Sequence, residues 1–381
     1  MHASLRAIGA IPFLFVAPTI TAADDASLDE VVVTADLRDR QLRNLPASAT
    51  VLDSHTISTA GVQHLQDLLG LIPNLNWSAG TSRPRFFQLR GSGELEQWQG
   101  APNSSVGLLI DGVDFSGVGM PATLTDIDRI EVLRGPQGTI YGANALAGLI
   151  AINTRAPSRD PELNANVTLG DHGTHGANAV LGGPMGSGDT AWRLVAGNYR
   201  SDGFRRDVHL GRDDTNGYDE TSARLRLGAR PSENLHADVS AMWVDLDNGY
   251  DAFAVDNSRV THSDRPGQDA QVARALALRL GYEGAERFEV VSRTSFGATR
   301  NVYSFDGDWG NPDYWSQFTA DPYEYFQRFD RDRRTSSQDL RMVSRADVDT
   351  GASFAWLAVG YALRSGADVW QHDEWNGGFG P

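Results

Sequence analysis

After Pro157 the chain alternates polar and apolar residues with a period of two, the pattern of β-strands that carry one apolar face. Between Leu235 and Trp243, one face holds Leu235, Ala237, Val239, Ala241 and Trp243, and the other holds His236, Asp238, Ser240 and Met242. The same alternation sets Ala223, Leu225 and Leu227 against Arg224 and Arg226, and Trp192, Leu194 and Ala196 against Arg193. It predicts nine strands, near Leu163, Gly176, Ala191, Thr221, Leu235, Val272, Phe288, Ser337 and Phe354, each of about ten residues. Alternation alone fits a soluble sandwich as well as a membrane barrel. The connections separate the two. They are short near 183–189, 229–234, 283–286 and 347–351, and long near 201–219, 247–270 and 301–333. Tight turns at one end and long loops at the other describe an outer-membrane barrel. A Greek-key sandwich has no reason to keep that rhythm.

Residues 44–157 have a different texture, mixed α/β and compact. Val62, Leu65, Leu68, Leu69 and Ile72 recur at helical spacing and Pro73 stops them, which predicts one amphipathic helix over 62–71. Apolar runs at 86–91, 106–111, 130–134 and 149–154 are bounded by Gly, Pro, Asn and Asp and predict short strands. Gly135, Gly138, Gly142 and Gly148 mark tight turns. Residues 24–43 are charged and poor in aromatics, except for Val31, Val32 and Val33, which sit between Asp29-Glu30 and Thr34. Three β-branched residues flanked by charge suit an extended segment that adds to the sheet edge of another protein; an ordinary first strand is the alternative.

With a mean hydropathy of -0.35 and no apolar stretch of helical-span length beyond the N-terminus, a polytopic helical membrane protein is excluded. Residues 1–23 read as a cleavable secretory signal: Arg6, an apolar run interrupted by Gly9 and Pro12, then small residues before Asp24. The absence of cysteine removes disulfide, thiolate-metal and cysteine-nucleophile chemistry. All 33 basic residues are Arg, so lysine-based chemistry is closed as well. A net charge of -16 opposes nucleic-acid binding.

The segment DEVVVTA at 29–35 and IEVLRGPQGTIYGAN at 130–144 resemble the TonB-dependent outer-membrane receptors, supported by QDLLGLIPNL at 66–75, FQLRG at 87–91, VGLLIDGVDFSG at 106–117 and AGLIAINTRAP at 147–157. The resemblance implies a signal peptide (1–23), a TonB box with its linker (24–43), a globular α/β plug (44–157) and a transmembrane antiparallel β-barrel (158–381), of about 22 strands in the family. Only 224 residues follow Pro157, whereas a 22-stranded barrel needs on the order of 550. The expectation is therefore a fragment holding the N-terminal part of the barrel.

The resemblance also implies a function, energised uptake of a scarce solute such as a ferric siderophore, with vitamin B12 or carbohydrate as other cargoes of the same mechanism. A secreted β-rich enzyme or adhesin is the competing class. Asp29, Glu30, Val31, Val32, Val33 and Thr34 would bind TonB, and residues 36–44, charged and nearly free of large apolar groups, would be its flexible tether. Arg90, Arg134 and Glu131 would latch the plug to the barrel wall. Arg83, Arg85, Trp98, Trp309, Tyr314 and Trp315 are the candidate solute contacts. The expected partners are TonB with its inner-membrane complex, outer-membrane lipid and lipopolysaccharide, around a monomer. No catalytic residue and no resident cofactor or metal is implied; iron would enter only inside a transported chelate. His172 with His175, and Asp213, Asp214, Asn216 and Asp219, read as solvated polar surface, and Asp111 and Asp114 as turn residues.

Overall fold

The computed structural model describes residues 32–33, 40–41, 48–61, 63–77, 80–95, 104–138, 144–186, 188–345 and 356–376. The signal, Asp29, Glu30, Val31, Thr34 and Trp98 lie outside them. Two short strands open the described chain, β1 (Val32–Val33) and β2 (Arg40–Gln41), paired antiparallel. The tether expected over 36–44 thus contains a strand, because two valines in extended backbone find a ladder partner within their own chain.

A mixed sheet follows. Its strands are β3 (Ser48–Asp53), β6 (Val106–Ile110), β7 (Val113–Asp114), β8 (Ile127–Arg134) and β9 (Gly148–Thr154), in the spatial order β3-β8-β9-β6-β7. Only β6 and β9 run parallel. β4 (Leu75–Asn76) and β5 (Gln88–Leu89) form a separate small ladder. The helix predicted over 62–71 is instead a 3-10 helix, Leu65–Leu71, with an α-helix before it, α1 (Ser54–Ala60). The sequence pattern missed α1 because it buries a single apolar residue, Ile57. Its ends are nevertheless written locally: the Asp53 side chain caps its start, and Gly61 closes it at φ 64. Leu52, Ile57, Leu65, Leu68, Val106, Leu108, Ile130, Val132, Ile150 and Ile152 join in one core. Fully burying each such side chain is worth about 1.5–3 kcal/mol.

The rest is a single nine-stranded antiparallel sheet in chain order: β10 (Glu162–Leu169), β11 (His175–Pro184), β12 (Thr190–Ser201), β14 (Tyr218–Ser232), β15 (Leu235–Tyr250), β17 (Gly267–Tyr282), β18 (Phe288–Asp306), β19 (Glu324–Ser344) and β20 (Leu357–Asn376). The strands run from 8 to 21 residues, most of them well beyond the expected ten. At about 3.3 Å per residue, β19 is close to 70 Å long, whereas the apolar band of such a barrel is only about 25 Å tall. Apolar alternation occupies only part of that length. The ladder continues above it through charged stretches such as Arg328 to Arg334, which carry no greasy face to read.

The two faces of this sheet have separate roles. Leu225, Leu276, Leu278, Phe296 and Leu340 point outward and are exposed. On the other face, Val244, Leu246, Ala273 and Ala277 pack into the core of the mixed sheet. The alternation that could not distinguish sandwich from barrel here places a globular domain on the polar face and leaves the apolar one exposed. Two further short strands, β13 (Arg206–Asp207) and β16 (Val260–Thr261), pair in parallel and tie the first two long outer loops together.

Candidate functional site

The contact between the mixed sheet and the concave face of the long sheet is lined by buried charge. Near its outer end the loop before β5 carries Arg83, 4% exposed, whose Nε and Nη2 donate to Glu220 at 2.7 and 2.9 Å. Arg85, 2% exposed, pairs with Asp269. Asp269 also accepts from the Ser82 N–H and Oγ–H at 2.6 and 2.7 Å. Asn248 bridges the two pairs, donating to Ser82 Oγ and Glu220. Burial alone would lower the pKa of Arg83, but Glu220 outweighs it and holds the guanidinium firmly charged. Tyr218 lies beneath the Arg83 guanidinium at 4.6 Å and Tyr303 beneath that of Arg85 at 5.5 Å.

Closer to the short-turn end the polarity inverts, and the wall supplies the arginines. Arg193 Nε and Nη2 grip both oxygens of Asp126 at 2.7 Å, a bidentate fork. Arg224 donates to Thr125 O at 2.9 Å and Arg226 to Thr154 O at 2.6 Å. Arg333 reaches Asp114 at 3.2 Å and also the Ser116 carbonyl. Asp111 and Gly112 form the two-residue turn between β6 and β7, both at positive φ. The Asp111 carboxylate accepts from Ser240 Oγ at 2.9 Å, so this turn residue is also a wall contact.

Two sets of expected residues change place. Arg83 and Arg85 were expected at the solute, but their guanidinium groups are buried in ion pairs with the wall. Arg134 was expected at the wall, yet it donates to Thr50 Oγ1 at 2.9 Å and Pro73 O at 2.7 Å, both within the mixed-sheet domain. Glu131 is fully buried and accepts from Arg129 at 2.7 Å, also inside that domain. Arg90 is exposed with φ 53 at the end of β5. The reason is geometric: β8 is flanked on both sides by β3 and β9, so its ends face other parts of the same domain. The loop at 80–86 stands free of the sheet and meets the wall. Composition gave no hint of this. The wall residues could have been found as charged positions on the polar face of the alternation, where Arg193, Arg224 and Arg226 already stood.

The outer loops carry the aromatic residues. Trp309, 43% exposed, stacks on Phe253 with ring centroids 5.1 Å apart. Tyr314 and Trp315 close the short helix α2 (Pro312–Trp315); Tyr314 stacks on His262 at 4.2 Å, and Trp315 Nε1 donates to Asp308 O. Tyr303, Phe305, Tyr325, Phe326 and Phe329, within the 301–333 stretch that reads as a long connection, are strand residues. Asp214 is held by Arg212 and Asp219 by Arg200. No group of three metal-ligating side chains occurs among the described residues.

Residues 41–149 match the TonB-dependent Receptor Plug Domain family. Over that stretch the chain is similar to the TonB-dependent outer-membrane receptors. It is 27% identical over 220 residues to the pesticin receptor of Yersinia pestis, a match covering 57% of this chain and 32% of that protein. It is 25% identical over 256 residues to the vitamin B12 transporter BtuB of Photobacterium profundum, covering 66% of this chain and 41% of the relative. Among solved structures, the ferric yersiniabactin uptake receptor FyuA from Yersinia pestis superposes with TM-score 0.63 at 18% identity, over 85% of this chain and 62% of that one. The pyoverdine outer membrane receptor FpvA from Pseudomonas aeruginosa PAO1 does so with TM-score 0.69 at 16% identity, over 91% and 50%. The chain therefore spans about a third to two fifths of the curated relatives it matches. The mixed sheet has the plug fold, and the nine strands have the fold of part of the barrel wall in these outer-membrane receptors.

Proposed function

We propose that the protein is an energised uptake receptor for a scarce solute, with a ferric siderophore as its cargo. The observation that carries this is the seating of the plug. Buried but polar ion pairs, Arg83 to Glu220, Arg85 to Asp269 and Arg193 to Asp126, close the passage through specific contacts that water can replace once they part, as a plug that must open and reseat requires. A purely structural filler would be better served by apolar packing. The domain divisions that follow are a TonB box and linker over 24–43, a plug over 44–157 and the start of the barrel from 158. Asp29 to Thr34 would add as a strand to TonB, whose pull draws on proton-motive force from the inner membrane. The plug latch in this reading is Arg83 and Arg85 rather than Arg90, Arg134 and Glu131. Solute would meet Trp309 with Phe253, and Tyr314 with His262, on the outer loops.

A second cargo class, vitamin B12, has the B12 transporter relative behind it. The relatives are transport receptors, which stands against an enzyme or adhesin. The deciding experiment is growth of iron-starved cells, with and without the full-length gene, on ferric yersiniabactin, ferripyoverdine or another chelate as sole iron source, and on cyanocobalamin in a B12 auxotroph. Growth that needs the gene and is abolished by loss of TonB supports the proposal. Growth indifferent to TonB would make the protein a passive channel.

A further inference from the structure

The last residue of β18 and the first turn after it read Asp306-Gly307-Asp308, and the two carboxyl groups lie side by side. Asp306 is 7% exposed and Asp308 5%. The Oδ2 atom of each is buried and accepts no hydrogen bond. The Ser263 hydroxyl stands near Asp306, but its oxygen already accepts from the Arg265 N–H at 3.1 Å. Both carboxylates line a cavity of about 270 Å³, together with Asp264, Glu324 and Glu374. Arg265 lines it too and is engaged elsewhere: it donates to Glu374 at 2.6 Å and lies 4.2 Å from the centre of the Phe326 ring. Glu324 accepts from Asn376 at 2.9 Å. Two carboxylates buried together without donors repel each other and have lost their water, so either a shared proton or a cation must offset them. We infer that this cavity binds a divalent cation of the calcium class, with Asp306 and Asp308 as its fixed carboxylate ligands and Asp264 as the third.

The donors select the metal. The acidic side chains of the cavity offer only oxygen, and no His lines it, which leaves zinc and copper without the ligands they prefer. Ca2+ takes six to eight oxygens from carboxylates, carbonyls and water. Two carboxylates in place therefore suffice as a start, although no three acidic side chains form a ready group among the described residues. Mg2+ gives up its water reluctantly and demands a tighter octahedron. The backbone brings the third ligand near. Asp264 N–H donates to Gly310 O at 3.2 Å, and Asn311 Nδ2 to His262 O at 2.7 Å, which ties the loop before β17 to the loop after β18. Gly307 lets the turn sit close against β19: its N–H donates to Tyr325 O at 2.7 Å, and a Cβ there would stand 2.2 Å from Tyr325 Cδ1. A cation at this point would also steady what the loop carries. Trp309 follows Asp308 directly, Trp315 donates to the Asp308 carbonyl at 2.9 Å, and Tyr314 stacks on His262. Cation binding itself depends on no solute.

The test uses the purified full-length receptor, stripped with EDTA and titrated with Tb3+, which occupies calcium sites and is excited through nearby indole rings, here Trp309 and Trp315. The expected result is saturable luminescence that Ca2+ displaces with a Kd of about 0.1–1 mM, and Mg2+ only at concentrations about tenfold higher. Asp306→Asn combined with Asp308→Asn should abolish the luminescence and the rise in melting temperature that Ca2+ produces. In EDTA that double variant should melt no lower than the natural chain, because it removes the repulsion. Asp264→Asn alone should weaken binding about tenfold, and Asp313→Asn, at an exposed acid of the same loop, should leave it unchanged. Heat-modifiability on a gel verifies the folding of each variant, and if the double variant fails it, Asp264→Asn decides. No saturable signal up to about 10 mM cation would mean that the pair shares a proton instead. A signal that survives the double variant, or Asp264→Asn without effect, would place the metal elsewhere, and equal displacement by Mg2+ would reduce it to charge screening. Each of these outcomes overturns the inference.

Discussion

At the residue scale, buried polar side chains decide the behaviour of the plug. His64 is 1% exposed; its Nδ1 accepts from the Gln66 N–H and its Nε2–H donates to Met120 O at 2.9 Å, which fixes a neutral tautomer. Burial, with Arg83 nearby, depresses its pKa to about 3. The unfolded imidazole titrates near 6.5, so below that pH the unfolded state binds a proton that the folded state refuses. Stability is therefore full above pH 6.5 and falls as pH drops toward 3. Denaturant melts of the purified receptor at pH 7 and pH 5 should differ by about 2 kcal/mol from this group, and His64→Gln should remove that part of the difference. Asp269→Asn strips Arg85 of its buried counter-charge and should cost about 3–5 kcal/mol, read as a lower melting temperature and earlier proteolysis of the plug. Gly148 has φ 159, and a Cβ there would stand 2.5 Å from Leu133 O. Gly148→Ala should destabilise the plug by about 1–3 kcal/mol, measured by the same melts.

At the element scale, the TonB box and the outer loops make separable predictions. Val32 pairs with Gln41 and Val33 with Arg40. Val32→Pro removes a backbone donor from the strand that would join TonB, so uptake should be lost while chelate binding to whole cells is unchanged. Loss of both together would point to misfolding and not to coupling. On the loops, Trp309 offers a flat exposed face already aligned by Phe253. Trp309→Ala should weaken chelate binding about threefold to tenfold, the worth of one aromatic stack, with uptake at saturating solute little changed.

At the scale of the whole molecule, the sequence determined the existence and order of the nine strands, the alternation of short and long connections, and the presence of a plug with motifs diagnostic of its family. Those features are local: a period of two, a turn residue, a motif whose backbone geometry needs particular side chains. It also placed polar residues on one face of each strand. It could not say what that face meets. The partners Arg83–Glu220, Arg85–Asp269 and Arg193–Asp126 are separated by 137, 184 and 67 positions, and no local pattern encodes a pairing at that range. Hence Arg134, in the most recognisable motif, turned inward to its own domain, and Arg85 took the wall. α1 escaped notice because Ile57 is its one buried residue, too little for a periodicity to show. Which faces become strand, turn or lipid contact is settled by residues within a few positions of one another. Which charges neutralise each other is settled only when the plug sits against the wall, because a buried charge takes its partner from whatever the fold brings within reach.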